Sequence, residues 1–145
     1  MTRPLEGSGS LQRLGKYAGL RPAERLYEIA DIVNLIEEYP GGEENGKRDK
    51  FPVDLGVRAA NNLKPRLQSY PRVVLLGGAV RTCFGRAGII PKSLGWFEGY
   101  ERWRGYKLTI ISPSPHPAGT SMFWNDPAGR AAGEAFWQQV IREAT

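Results

Sequence analysis

The stretch RVVLLGG, residues 72–78, constrains the fold most: four consecutive apolar residues lie between an arginine and a glycine pair. A short, continuous apolar run bounded by turn residues fits a strand buried on both faces. Strands of that kind belong to parallel sheets covered by helices. YKLTIIS, residues 106–112, has the same character. So does Ile32-Val33-Asn34-Leu35-Ile36, ended by Pro40-Gly41-Gly42.

Helical patterns separate these runs. Leu11, Leu14 and Ala18 recur at helical spacing and predict a helix over 10–20. RPAERLYEIA begins another, with Pro22 near its first turn. VDLGVRAANNLKPRLQSY is helical in pattern, with Pro65 placed to kink or end it. AVRTCFG predicts a short helix closed by Gly85, and residues 86–105 read as a glycine-rich loop with some edge structure. At the end of the chain Asp126 is a good N-cap and Pro127 a good first helical residue. Ala132, Phe136 and Val140 then make an apolar stripe.

Alternating strands and helices predict an α/β fold with a small, mostly parallel sheet, in a single domain over 1–145. A chain of 145 residues buries roughly 70% of its unfolded surface, enough for a core. In such sheets ligands bind beyond the carboxyl ends of strands. The loops carrying Asn34, Gly77-Gly78 and His116 are therefore expected along one edge.

Composition narrows the class. No apolar run reaches the roughly 18 residues a membrane span needs, and MTRPLEGSGS lacks the apolar region of a secretory signal. One cysteine, Cys83, excludes an internal disulfide and a cysteine-built zinc site. These features lead to the expectation of a cytoplasmic protein with no membrane partner. A net charge of +5 favours polyanionic partners, nucleic acid first.

The only histidine, His116, stands in SPSPHPAGTSMFWND between two prolines. It reads equally as a surface histidine in a stiffened turn or as a preorganised imidazole. A neutral imidazole can donate a hydrogen bond to a developing anion. Asn34 reads as a strand-end amide bonded to nearby backbone, or as an amide that matches the edge of a base. LLGGAVRTCFG is a tight strand-to-helix turn rather than a phosphate-loop motif, although the helix start at Gly78 suits a phosphate. Arg81, Arg86, Lys92, Arg102, Arg104, Lys47, Arg48 and Lys50 lie in or near loops, interleaved with Trp96, Phe97, Tyr100, Trp103 and Tyr106. That mixture fits a solvated surface or a nucleic-acid face. TSMFW, residues 120–124, is either a loop folded onto the body or a wedge for DNA.

Four segments in order resemble the uracil-DNA glycosylase superfamily over most of the chain, roughly residues 5–144. IISPSPHPAGTS is similar to the family's second signature, matched here by His116-Pro117-Ala118-Gly119. DIVNL resembles its strand ending in a base-reading Asn, here Asn34. RVVLLGGAVRTCFG resembles the strand, turn and helix between them. PLEGSGSLQRLGKYAGL resembles the glycine-containing segment that opens the helix after the first signature. The usual first signature, a central strand with a glycine-rich loop, is not matched, and Met1 to Glu6 is too short to hold it. Ala118 also stands where the family usually has serine, with Ser112, Ser114, Thr120 and Ser121 nearby.

The resemblance implies a three-layer α/β/α, uracil-DNA glycosylase-like fold. It also implies an enzyme that flips out a base and hydrolyses its N-glycosidic bond without cofactor or metal. His116 would hydrogen-bond the departing base, Asn34 would read its edge, and Glu6 is the nearest candidate for positioning water. Ser112, Ser114, Gly119, Thr120, Ser121, Met122, Phe123, Gly78 and Arg81 would contact DNA, double-stranded or locally unpaired, with the protein a monomer. The unmatched first signature suggests a roomier pocket for a modified pyrimidine, such as hydroxymethylated or glucosylated cytosine of phage DNA. Such an activity would suit antiviral defence. Uracil excision in base repair and a non-catalytic DNA-binding module are the alternatives.

Overall fold

The computed structural model describes residues 5, 9–35, 52–117 and 122–145. The chain divides into two compact units, Met1–Val33 with Pro115–Thr145, and Asn34–Ser114.

The first unit is helical. Helix α1, Ser10–Ala18, buries Leu11, Leu14 and Ala18 along one stripe, as their spacing predicts. Gly19 ends it in the left-handed region at φ 75°, and the Leu20 N–H reaches back to the Gly15 carbonyl at 2.8 Å. A glycine at that point turns the chain without a Cβ clash. A 3-10 turn at Ala23–Arg25 leads into the one-turn α2, Leu26–Ile29. At Gly15 an added Cβ would come within 2.5 Å of the Ala23 Cβ, so the turn seats against α1 only because that position is bare. A second 3-10 turn, Met122–Asn125, precedes the long α5, Pro127–Ala144, which packs on α1. The Asp126 carboxylate accepts from the Gly129 N–H at 2.9 Å and Pro127 opens the first turn, the start expected from sequence.

The second unit holds the sheet. Its elements are helix α3 (Val53–Leu67), strand β1 (Arg72–Leu76), helix α4 (Gly78–Arg86) and strands β2 (Tyr100–Arg104) and β3 (Lys107–Ser114). Among the described residues the strand order is β1-β3-β2. β3 pairs parallel with β1, Arg72 opposite Ile110, and antiparallel with β2, Arg104 opposite Lys107. The fold is thus α/β with a small mixed sheet. Only one of its two pairings is parallel, against the expectation of a mostly parallel one. The reason is β2, a strand too polar to read as buried, which reaches β3 through a tight hairpin.

Ala60, Leu75, Phe84, Ile89, Ile90 and Ile111 form the core, with Leu35, Leu67 and Val73 packed at its margin. α3 packs on α4 and runs through Pro65 to Leu67. The proline removes only its own donor close to the helix end, where the disruption is small. α4 likewise passes Gly85 and ends after Arg86, with Gly88 at φ 75° making the turn.

The strand expected over 32–36 is absent from its described part. Residues 31–34 carry no regular structure and Leu35 lies in a bend. An apolar run becomes a strand only if a neighbour supplies ladder hydrogen bonds. Its described part finds none among the described residues, and Val33 is 45% exposed. Among the described residues no helix is long and apolar enough to cross a membrane.

Candidate functional site

In the first unit the site centres on His116. The prolines on either side are buried, whereas the histidine is half-buried. Its carbonyl accepts a hydrogen bond from the Trp124 indole Nε1–H at 3.0 Å. Trp124 is itself fixed: it is 4% exposed and lies flat on Tyr17, with ring centroids 4.2 Å apart and planes within 5°. Phe123 meets it edge-on at 5.6 Å. On Tyr17 the Arg130 guanidinium sits 5.3 Å from the ring centroid, within the range of a cation–π contact. Two proline rings and an indole bond therefore hold the backbone that carries the imidazole.

The imidazole has an unusual environment. Its Nδ1 is buried with no hydrogen-bond partner among the described residues. Burial pushes its pKa below the ordinary 6.5, because the charged form loses hydration without gaining a counter-charge. The ring is therefore neutral at physiological pH. It can serve as a donor from one nitrogen and an acceptor at the other.

The rest of this loop divides. Met122 is 78% exposed. Phe123 leans back on α5, where an added Cβ at Gly129 would lie 3.2 Å from the ring. Of the two bulky residues expected as a wedge, Met122 is the one facing solvent. Glu6, Gly119, Thr120 and Ser121, also expected at the site, lie outside the described residues.

In the second unit the carboxyl end of β3 meets the turn between β1 and α4. Gly77, at φ 96° and ψ 160°, donates its N–H to the Ser114 carbonyl at 2.8 Å. That backbone conformation is open to glycine alone, which explains the glycine after the apolar run. Gly78 starts α4 with open space where a Cβ would stand, and no side chain caps the helix. One turn on, the Arg81 guanidinium lies over Trp96, 3.8 Å from the ring centroid. Ser112 and Ser114 are both 0% exposed, and the Ser112 hydroxyl accepts from the Arg72 guanidinium at 2.9 Å. Buried hydroxyls of this kind stiffen the strand and offer nothing to a phosphate in solvent.

Asn34 also belongs to the second unit, exposed and off any strand. This corrects the expectation of an amide fixed at a strand end. Cys83 is fully buried, its thiol pKa pushed up by desolvation and its Sγ 3.8 Å from the Val53 carbonyl, so it is a packing residue. Among the described residues no group of three or more His, Cys, Asp or Glu side chains could hold a metal.

Two contacts had not been anticipated, the Trp124 bond to His116 and the Arg81–Trp96 stack. The first had a faint signal: an aromatic pair just before a helix cap needs somewhere to bury, and the rigid proline segment is the near surface. Comparison with family models, with curated proteins and with solved structures gave no match.

Proposed function

We propose that this protein is a DNA glycosylase that removes a modified pyrimidine, such as hydroxymethylated or glucosylated cytosine, and leaves an abasic site. One observation carries the reading: a single imidazole, kept neutral by burial and held through its own backbone, on a segment resembling the second signature of the uracil-DNA glycosylase superfamily. The three-layer, uracil-DNA glycosylase-like arrangement belongs to the same proposal.

The chemistry follows from the imidazole. A buried N–H without a partner is costlier than a bare acceptor nitrogen. With Nδ1 buried and without a partner among the described residues, the proton is assigned to Nε2. In the reaction the bond from C1′ to the base nitrogen breaks and the base leaves as an anion. Nε2–H donates to the base oxygen on which that charge gathers. Water adds to C1′ and releases its proton to solvent, and the base is later protonated. A neutral imidazole suits this role because its Nε2–H is present at neutral pH and can donate to the oxygen where the charge gathers. The target nucleotide must leave the stack, which costs a few kcal/mol. Exposed Met122 would fill the gap and Glu6 would position water. Arg81 and the Gly78 helix start would grip phosphate.

The test uses matched duplexes carrying uracil, hydroxymethylcytosine, glucosylated hydroxymethylcytosine or ordinary bases, incubated with protein and then cleaved by alkali. Cleavage of one modified duplex is expected, with His116→Ala slower by about 10²–10³-fold. Cleavage confined to uracil would move the reading to base repair. Binding without cleavage anywhere, unchanged by His116→Ala, would leave a DNA-binding module and end the enzymatic reading.

A further inference from the structure

The hairpin at the other end of β3 has features that neither the core nor the proposed chemistry uses. β2 and β3 join through a two-residue turn, Gly105 and Tyr106, with Gly105 at φ 63°. A glycine with positive φ at the first turn position is what a tight hairpin requires. The next position ordinarily carries a small polar residue. Here it carries Tyr106, 90% exposed. Trp103, opposite Leu108 in the ladder, is 62% exposed. Large exposed aromatics at the tip of an edge strand invite aggregation.

The charges around them favour a polyanion. Residues 100–108 contain Arg102, Arg104 and Lys107 against a single acid, Glu101. Arg102 is committed to the fold through a 3.1 Å bond to the Ile89 carbonyl. The register sets Arg104 and Lys107 opposite each other. Lys107, at the start of β3, is exposed and adds positive potential beside the tip. β3 runs eight residues from Lys107 at this tip to Ser114, a separation of roughly 23 Å at strand rise.

We propose that the β2–β3 hairpin is a separate nucleic-acid contact that takes an unpaired stretch of DNA, stacking bases on Trp103 and Tyr106 while cations meet the phosphates. The proposal rests on DNA being the partner, as the glycosylase reading has it, but not on any excision. Unpaired bases are the fitting ligand because an exposed aromatic face needs a bare base face. A duplex hides its base faces in the stack.

The test is fluorescence anisotropy with the full chain, using a labelled oligothymidylate of about 15 nucleotides and the same strand in duplex. Each lost stack weakens binding roughly tenfold. Trp103→Ala with Tyr106→Ala should therefore bind the single strand about 10²-fold more weakly, with thermal unfolding unchanged. Trp103→Phe with Tyr106→Phe should retain most of the binding. Lys107→Glu should flatten the salt dependence. Unchanged single-strand binding by the alanine pair overturns the proposal. So does an equal loss on duplex, or a wild-type dimer that the alanine pair dissociates. If no duplex is ever cleaved yet the alanine pair still weakens oligothymidylate binding, the hairpin proposal stands and the glycosylase reading falls.

Discussion

Trp124 and Trp103 are the same residue in opposite circumstances. Trp124 lies flat on Tyr17, nearly all of its surface covered, and its one donor holds the backbone of His116. Trp103 stands near a hairpin tip with most of its surface in solvent. An indole carries a large apolar surface and one N–H. Where both are used inside the chain, the residue serves its own unit. Where most of the ring stays in solvent, the residue is available to something else. The proposed chemistry sits with the first and the proposed stacking surface with the second.

Four measurements bear on that contrast. Trp124→Ala should have the largest effect, about 3–5 kcal/mol of stability lost in urea unfolding followed by circular dichroism, because it removes the ring from the stack and from the cap on His116. A loss as small as a surface substitution gives would erase the difference between the two tryptophans.

Trp124→Phe is milder. It keeps a ring against Tyr17 but leaves the His116 carbonyl without its donor, costing about 1–3 kcal/mol if the site stays dry. It should also shift the imidazole resonances in a nitrogen-15 NMR spectrum, where the lone histidine is easily assigned. Unchanged resonances would mean that the indole braces the loop without steering the ring.

The third effect concerns pH. The unfolded imidazole takes a proton near its ordinary 6.5, whereas the buried one resists protonation to lower pH. The unfolded state therefore binds more protons in the window just below 6.5, so stability is full above it and declines as pH falls. His116→Gln should flatten that decline in unfolding curves taken from pH 7.5 downward. A decline that persists in the variant would assign it to other groups. The smallest effect belongs to Trp103→Ala, within about 0.5 kcal/mol of wild type in the same urea assay. A larger loss would show that the hairpin tip needs its indole for folding, and would weaken the case for a ligand there.

Local signals in the sequence carried the helices. The Asp126-Pro127 start and the Leu11, Leu14, Ala18 stripe are decided within a few residues, and both appear as expected. The two strongest apolar runs became β1 and β3 for a similar reason, since a buried strand must be apolar whatever its partner. The run at 32–36 failed as a strand because pairing depends on a neighbour that a short window does not contain. β2 was hidden by the opposite effect. Tyr-Glu-Arg-Trp-Arg has few apolar residues, yet the hairpin turn at Gly105 delivers it to β3. At the site, proline framing pointed to His116 directly. The indole that holds it, the burial of Nδ1 and the burial of Ser112 and Ser114 are properties of packing, and no motif encodes them.

The strand order has a consequence for how the chain acquires its shape. β3 lies at the centre of the three strands and is the last of them in sequence. β1 therefore has no sheet neighbour among the described strands until residues near 110 have been synthesised. The β2–β3 pairing closes a tight turn, and hairpins of that kind form in about 1–10 microseconds. The parallel pairing of β1 with β3 must close a much longer loop, at greater entropic cost. Assembly should then begin at the hairpin, with β1 and its helix docking onto a ribbon already made. A nascent chain cut short before Ile110 would leave Val73, Val74 and Leu75 with no ladder to join, and folding intermediates would expose that strand edge longest.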